Sequence, residues 1–581
     1  MTDVLLVVPP FASAALPVLG PSLLVAALRR DGLHARVLYA NVTFAAHVGY
    51  DRYRRFTLSS WRMHGDLLFA PAAWGHAVPD EAVVFGPRVD AVTEEDWRVA
   101  AETLPAYFAE VRAQIAEAAP AVVGLSSVFQ QNVPSVALAK VARQAAPDAA
   151  ILLGGANALR PMGRAIAEAT LGIFDAVVAG EGEKELSGFV RKLMTGWRPP
   201  PDERFVVWPR LPSLSLAPTP EFDDYFEQVG ALTEAGRLPE GLPLALPFES
   251  ARGCWWGERS HCTFCGLVGP EIAERAHTPE RVLHDIEHLV ATYGVDELRA
   301  ADDLLPIRIQ REVLPELARR QPHRERPLRF FYEVKSHLRR RELELLAAAG
   351  VVEVQSGLES LSTDTLKAMK KGVTGPQNVA FLRDARATGV DPLWNWMVAF
   401  PGDQREDYEA FLRLAPFVEH LRPPVCVVPV RIDRFSPYHA DPARWNIRDV
   451  VPFPGMRWAW PEGSDLETIS YHFTGTVDSA YVEDPELARR AHEGLDRWLD
   501  AWAAGPPELT GVLDGDVLHV RDTRAVALEE ETTLSAAATA LLLRLEKPRP
   551  IDVVTDRALG VLLQRGFVVQ HEGYLVSVVV R

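Results

Sequence analysis

Short apolar runs that end in glycine, serine or asparagine, each followed by a helical stretch, set the strongest limit on what this chain can fold into. The first series is VLLVV (4–8), ARVLYA (35–40), AVVGLSS (121–127), AILLGG (150–155) and DAVVAGEGE (175–183). Helices are expected at about Ser22–Arg30 and from near Pro134. Strands that are apolar throughout are buried on both faces, so the pattern predicts a doubly wound parallel sheet, an α/β architecture, over residues 1–200. Residues 41–120 interrupt it with a mostly helical insertion rich in Trp and Phe. The proline-dense stretch 201–245 reads as a linker.

A second series then begins. LPLALPFES is followed by ELRAADD (297–303), LRFFYEVKS (328–336), VVEVQSGLES (351–360), PLWNWMVAFPG (392–402) and PVCVVPVRIDRFSP (424–437). Six such steps predict a partial (β/α)6 barrel over 246–440, with its chemistry at the C-terminal ends of the strands. Residues 441–509 read as an irregular and helical connector. Residues 510–581 read as strand, two helices and a hairpin, a winged-helix-like domain.

Charge narrows the partners. The chain carries a formal net charge of −17 over 581 residues. In the winged-helix-like part, residues 528–566 hold five basic and six acidic side chains. Neither gives the electrostatic footprint that nucleic acid requires. Residues 4–28 are uncharged, but Asp3 precedes them and prolines stand at 9, 10, 17 and 21, so they read as strand, loop and helix rather than a membrane span. No membrane and no nucleic-acid partner is expected.

Four cysteines occur, and three of them, Cys254, Cys262 and Cys265, fall within twelve residues. This spacing points to a reducing, cytoplasmic setting and a metal site, not to a disulfide framework. Three thiolates suit an iron–sulfur cluster with one iron left open. A structural zinc would need a fourth ligand, from His261 or Cys426. Cys426 lies in an apolar strand, where a buried inert thiol is expected. Ser126, Ser127, Gln130 and Asn132 follow one strand of the first sheet. Gly154, Gly155 and Asn157 follow another, and Gly180 and Glu181 close the same edge, where such sheets bind ligands.

The segment ESARGCWWG…HCTFCGL (249–267) resembles cobalamin-dependent radical S-adenosylmethionine (SAM) proteins that mature ribosomal peptides, several of which are C-methyltransferases. The cysteine spacing here is C-x7-C-x2-C. VGLSSVFQQNVPSVALAK and LLGGANALRPMG are similar to the cobalamin domain of that family, and VQSGLESLS, KAMKKGVT, WNWMVAFPGD and RIDRFSPY to its barrel. The resemblance implies a Rossmann-like cobalamin domain and a [4Fe–4S] cluster on Cys254, Cys262 and Cys265. It implies SAM beside Asp302, Asp303, Glu333, Gln355, Gly357 and Glu359, with Trp394 and Asn395 near SAM or substrate. The serines, amides and glycines of the first sheet, with Glu181, would meet cobalamin. The D-x-H-x-x-G signature that supplies a histidine to cobalt is absent. The family further implies radical methylation of a precursor peptide, with an electron donor such as a flavodoxin or ferredoxin. Peptide cyclisation, epimerisation or rearrangement, and a small-molecule substrate, stay open.

Overall fold

The computed structural model describes residues 2–59, 62–85, 91–267, 269 and 272–581. The chain divides into two compact units: Met1–Phe248 with His284–Val295 and Val451–Phe473, and Glu249–Leu283 with Asp296–Val450 and Thr474–Arg581.

The first unit is built on a six-stranded sheet. Its strands are β1 (Val4–Val7), β2 (Ala35–Leu38), β3 (Val122–Ser126), β4 (Ala150–Gly154), β5 (Ala176–Ala179) and β6 (Phe205–Val207), in the order β2-β1-β3-β4-β5-β6. All pairings are parallel, with Val4 opposite both Ala35 and Val122, and Ser126 opposite Gly154. Every residue of β1 is buried, as a strand covered on both faces requires. The helix after it runs Leu19–Arg30, three residues longer at its start than expected. Pro21 falls within its first turn, where a missing amide costs nothing, and Arg29 and Arg30 close its last turn.

The expected insertion is helical: Ala40–Val48, Tyr50–Leu58, His64–Trp74 and Glu94–Ala118. Its core is a knot of rings, in which Phe11 meets Phe44, Tyr53, Phe56 and Phe69 at centroid distances of 5.5–5.9 Å.

The stretch 201–245 is not a linker. It supplies β6 and the helix Asp223–Glu234. Asp224 of that helix is buried and accepts hydrogen bonds from Arg29, Arg36 and the Val37 amide. A buried carboxylate this well partnered anchors the segment to the sheet. Residues 451–473, expected within the connector, also belong to this unit. There the Trp74 indole donates to the Ala459 carbonyl at 2.8 Å, and the Trp74 and Trp460 rings lie 5.6 Å apart.

Strand β7 (Leu246–Phe248) ends the first unit. In the second unit β8 (Ala251–Arg252) and β9 (Arg275–Ala276) pair antiparallel. Strands β10 (Glu297–Ala300), β11 (Arg329–Glu333), β12 (Val351–Gln355) and β13 (Asp391–Leu393) lie in the order β13-β12-β11-β10, all parallel. The expected strand 392–402 is broken at Trp394-Asn395. Its second half, β14 (Trp396–Val398), pairs in parallel with β15 (Val427–Pro429). Five of the six expected strand positions therefore fall in the second unit, divided between two parallel sheets, and the first, Leu246–Phe248, falls in the other unit.

The C-terminal part carries a three-stranded antiparallel meander (Leu509–Asp514, Val517–Asp522, Glu531–Leu534), helices Ala536–Arg544 and Leu559–Gln564, and a hairpin. The hairpin strands Val568–His571 and Tyr574–Ser577 are joined by Glu572-Gly573, both at positive φ, the turn whose twist matches its strands. Among the described residues no helix is long and apolar enough to cross a membrane.

Candidate active site

The cysteine loop is closed at its base and hung from one buried carboxylate. The β8–β9 pair brackets it, and the His277 amide donates to the Ser250 carbonyl at 2.9 Å. Glu249 joins the two sides, accepting from Arg252 at 2.7 Å and meeting His277 Nε2 at 3.2 Å. Asp302, at the end of β10, accepts the amides of Ser250 (2.7 Å) and Ala251 (2.9 Å) on Oδ1 and the Ser250 hydroxyl on Oδ2. Gly253 has φ +87, and a side chain there would start 2.5 Å from the Ala273 carbonyl oxygen, so the loop can turn here only without a Cβ.

The three thiols follow. The Cys254 amide donates to the Ile272 carbonyl, and its sulfur accepts the Gly257 amide at 3.3 Å, capping the short helix Trp255–Arg259. Thr263 is stitched to the 368–369 backbone, its amide donating to Met369 and its hydroxyl to Ala368. His261 Nε2 donates to the Cys265 carbonyl at 2.8 Å. That nitrogen is taken by the backbone. Among the described residues no three side chains of His, Cys, Asp or Glu converge as ligands of one metal ion. Burial pushes the Cys254 thiol up and the Cys265 thiol to about 12, and each feels the charge of Cys262.

Strand parity sorts the neighbouring residues. Leu298, Ala300, Phe330, Tyr332, Val354, Trp394 and Trp396 are buried, while Arg299, Phe331, Glu333, Glu353, Gln355, Asn395 and Met397 are more accessible. Successive side chains point to opposite faces, so the second set shares the more open face of the sheet. Its N-terminal floor is filled by Arg299, which pairs with Glu353 at 2.7 Å and lies 4.1 Å over the Phe331 ring. Toward the C-terminal ends come Asp303, Glu333 and Gln355. Asp303 accepts the Gly253 amide, and burial raises it. Burial, then repulsion from Asp303 and Glu359, pushes Glu333 to about 8. Glu359, at φ +61, meets Lys371 Nζ at 3.2 Å, beside the turn at Gly357 (φ +51).

On the first unit, the β3 and β4 edges interlock. Asn157 Nδ2 donates to the Ser127 hydroxyl (2.9 Å) and the Phe129 carbonyl, and Ser127 donates to Asn132 Oδ1 (2.7 Å). Gly155 (φ +97) lets that crossing happen, because a Cβ there would lie 2.5 Å from the Ser127 carbonyl oxygen. Gln130 spends its amide on the Phe56 carbonyl and the Gly65 amide. Glu181 accepts the Leu211 amide at 2.5 Å, and Gly180 lies against the Trp208 carbonyl. Ser126 is half-buried and Phe129 is 51% exposed at the same edge. Behind them a cavity of about 30 Å³ is lined by Asp66, Asn132, Asn157, Tyr471 and His472, among others.

The radical SAM superfamily profile matches residues 248–415. The chain carries a radical SAM domain. Elsewhere the likeness is distant. An uncharacterized methyltransferase of Pyrococcus horikoshii is 23% identical over 392 residues, 64% of this chain and 76% of that protein. Among solved structures, the radical SAM methyltransferase TsrM of Kitasatospora setae, with tryptophan substrate and a SAM analogue bound, aligns with TM-score 0.55 and 15% identity, over 89% of this chain and 92% of that one. The cobalamin-dependent SAM radical enzyme OxsB, with aqua-cobalamin and SAM bound, aligns with TM-score 0.54 and 14% identity, over 86% and 67%. At these identities the structural likeness speaks for the fold, which both units share with those proteins.

In the radical SAM domain the sequence expectations separate into two groups. Cys254, Cys262, Cys265, Asp303, Glu333, Gln355, Gly357 and Glu359 come together around the loop and strand ends. Trp394 does not: it is buried, donates to the Arg422 carbonyl at 3.0 Å and packs against Trp498. Asp302 holds the loop and presents no free oxygen to a ligand. Cys426 is half-buried, and its thiol donates to Asn395 Oδ1 at 3.2 Å, so it is not the enclosed apolar thiol expected. The residues missed are Lys335 and Lys371. Burial and the Lys371 charge lower Lys335 to about 8. Their only signal was the KAMKKGVT run and a lone lysine after β11. Asp302→Ala should leave the Ser250 and Ala251 amides unpaired and cost about 3 kcal/mol or more, read as a fall in Tm of the cluster-free protein.

Proposed function

We propose that this protein is a cobalamin-dependent radical SAM enzyme that transfers a methyl group to an unactivated carbon of a ribosomally made precursor peptide. The observation that carries the reading is the three-cysteine loop, fixed by Asp302 beside the strand ends whose polar residues are Asp303, Glu333, Gln355 and Asn395. The donor chemistry fits the group the superfamily uses: three thiols and no fourth, which leaves one iron of a [4Fe–4S] cluster for SAM. The cluster, SAM and cobalamin, when bound, supply the electron, the hydrogen abstraction and the methyl group.

The chain's own residues do the rest. Cys254, Cys262 and Cys265 bind the cluster. Glu333 keeps its proton at neutral pH and can donate to SAM. Trp255 and Trp256 are pinned through their indole nitrogens to the Leu305 and Lys370 carbonyls, and wall the loop against water. The Arg299–Glu353 pair closes the floor. For cobalamin, Ser126, the exposed Phe129 ring and backbone groups of the first sheet's edge are the available contacts, because Ser127, Gln130, Asn132 and Asn157 are largely spent on one another and on the backbone. The likeness to TsrM and OxsB, both of which have been solved with cobalamin bound, supports this reading.

A docking place for the peptide is supported by a groove of about 540 Å³ in the second unit. Helix Arg405–Val418 forms one wall and strand Val568–His571 the other. That strand is the last of its sheet, so its outer edge can take an added strand from an extended peptide. A flavodoxin or ferredoxin would supply the electron.

Anaerobic turnover of the reconstituted protein with its precursor peptide tests the reading. The expected products are 5′-deoxyadenosine, S-adenosylhomocysteine and a peptide heavier by one CH2. Deoxyadenosine with a peptide of unchanged mass, or one lighter by two hydrogens, overturns methylation. Filling the groove with Ala410→Trp should raise the peptide KM at least about tenfold, ~1.4 kcal/mol, with SAM cleavage in the absence of peptide unchanged. An unchanged KM removes the groove from the proposal.

A further inference from the structure

The polar residues around the cysteine loop are mostly acidic, yet two lysines reach under it from different elements. Lys335 follows β11, and its side chain is 8% exposed. Its ammonium donates to the Lys371 carbonyl and lies 3.7 Å over the ring of Trp256, two residues after Cys254. Lys371 reaches the other side of the loop. Its ammonium lies 5.4 Å over the ring of Phe264, which stands between Cys262 and Cys265. The Lys335 charge is felt at Cys262 and Cys254, and the Lys371 charge at Cys262 and Cys265.

The two lysines differ in one respect. Lys371 is paired with Glu359 at 3.2 Å, which offsets its charge. Among the described residues no carboxylate lies within ion-pair distance of Lys335; its contacts are a carbonyl and an indole face. Burying an ammonium without a counter-charge is expensive, and a fold keeps one where a negative group is to come. The thiolates of the loop are that negative group. A cluster held by three thiolates gains a further negative charge when it is reduced, and a fixed cation beside it stabilises the reduced form more than the oxidised one.

We propose that Lys335 is the positioning residue that sets the reduction potential of the cluster, its ammonium serving as the fixed counter-charge under the Cys254 and Cys262 thiolates. The inference rests on the assignment of the cluster to the three cysteines. Lys335 touches neither substrate nor the reacting carbon. Its effect is on the ease with which an electron enters. Trp256 carries the geometry, because its ring holds the ammonium on the side facing the loop and is itself fixed by the Lys370 carbonyl and by close packing on Gly372.

The test is the midpoint potential of the reconstituted full-length protein, read by electron paramagnetic resonance in the absence of SAM and cobalamin, with iron content measured alongside. Lys335→Gln should load iron as the parent does. Its ratio of reduced to oxidised cluster at fixed potential should fall at least tenfold, a shift of ~59 mV to lower potential for one electron. Lys335→Arg keeps the charge and should restore the parent value. A Lys335→Gln protein with full iron and the parent potential overturns the inference, even if its SAM binding is weakened; that pattern assigns the lysine to the SAM carboxylate instead. If Lys335→Gln takes up no iron, Lys335→Arg decides: loading with the parent potential upholds the counter-charge, and failure to load marks a packing role and overturns it. A parent protein that binds no iron–sulfur cluster at all defeats the cluster assignment and the inference with it, whereas a loaded parent whose potential Lys335→Gln leaves unchanged defeats the inference alone.

Discussion

Alanine at Cys254, Cys262 or Cys265 should give a folded protein with no iron–sulfur absorbance and no SAM cleavage, while Cys426→Ala keeps both. The expectation of a folded protein comes from how the loop is held. Asp302 grips its entry, the β8–β9 pair closes its base, and Thr263 is stitched to the Ala368 and Met369 carbonyls. None of these contacts uses a sulfur. Truncation removes the bond that the Cys254 sulfur accepts from the Gly257 amide and the one that the Cys265 sulfur accepts from the Leu267 amide, about 1 kcal/mol each. The loss of cluster comes from ligand count. Replacing a partner of a metal ligand weakens metal binding about 10–100-fold, and removing one of three ligands exceeds that. Cys426 separates the two metal readings. If the site were a closed zinc with Cys426 as fourth ligand, Cys426→Ala would lose metal as the others do. With its thiol on the Asn395 oxygen, it should load iron to the parent level. Iron and zinc content of the four variants, with their circular dichroism, checks each part.

The two strand series were legible because burial on both faces leaves no polar residue in a run such as VLLV. The sixth strand of the first sheet was not. Phe205–Val207 is three residues long and sits among prolines, so local composition outweighed it. Its anchor, Asp224 on the helix Asp223–Glu234, finds Arg29 and Arg36 nearly two hundred residues away, a contact no local pattern contains. At the site, the cysteines were legible because thiolate spacing is itself the chemistry. Asp302 and Asp303 were not separable: they are consecutive, and only the parity of the chain beyond β10 turns one into the cysteine loop and leaves the other toward the strand ends. Trp394 failed for a related reason. The strand breaks at that residue, and its side chain goes to the helix side with Trp396. Lys335 was invisible because a lone lysine after a strand reads as a solvated surface residue until its neighbours are known.

Glu333→Gln should make the cluster-free protein more stable at pH 9 than the parent, with the two alike at pH 4. Burial raises Glu333 from its ordinary value of 4.5 to about 8, and Asp303 and Glu359 add to the shift. The folded protein therefore holds this proton after the unfolded chain has released it. Below the unfolded value both states are protonated and the native environment suits the neutral carboxyl. As pH climbs between 4.5 and about 8, the unfolded state gains by ionising and the fold loses that stability. Glutamine keeps the shape and the neutral charge and cannot ionise, so the loss disappears. Each kcal/mol recovered raises Tm by about 2–4 °C in a domain of 150–250 residues, and by less in a unit larger than that, as this one is. Thermal melts of both proteins across pH 4–9 should converge at the acid end and separate steadily toward the alkaline end. Parallel curves would mean that Glu333 ionises in the folded state as freely as in the unfolded one. The same proton bears on the ligand. A neutral Glu333 can donate to SAM, whereas an ionised one beside Asp303 and Glu359 adds a third negative charge where the SAM carboxylate must approach. SAM affinity of the cluster-loaded parent should fall as pH rises through about 8. In Glu333→Gln, which keeps a donor at every pH, the same titration should be shallower, with Lys335, itself lowered to about 8, left to titrate.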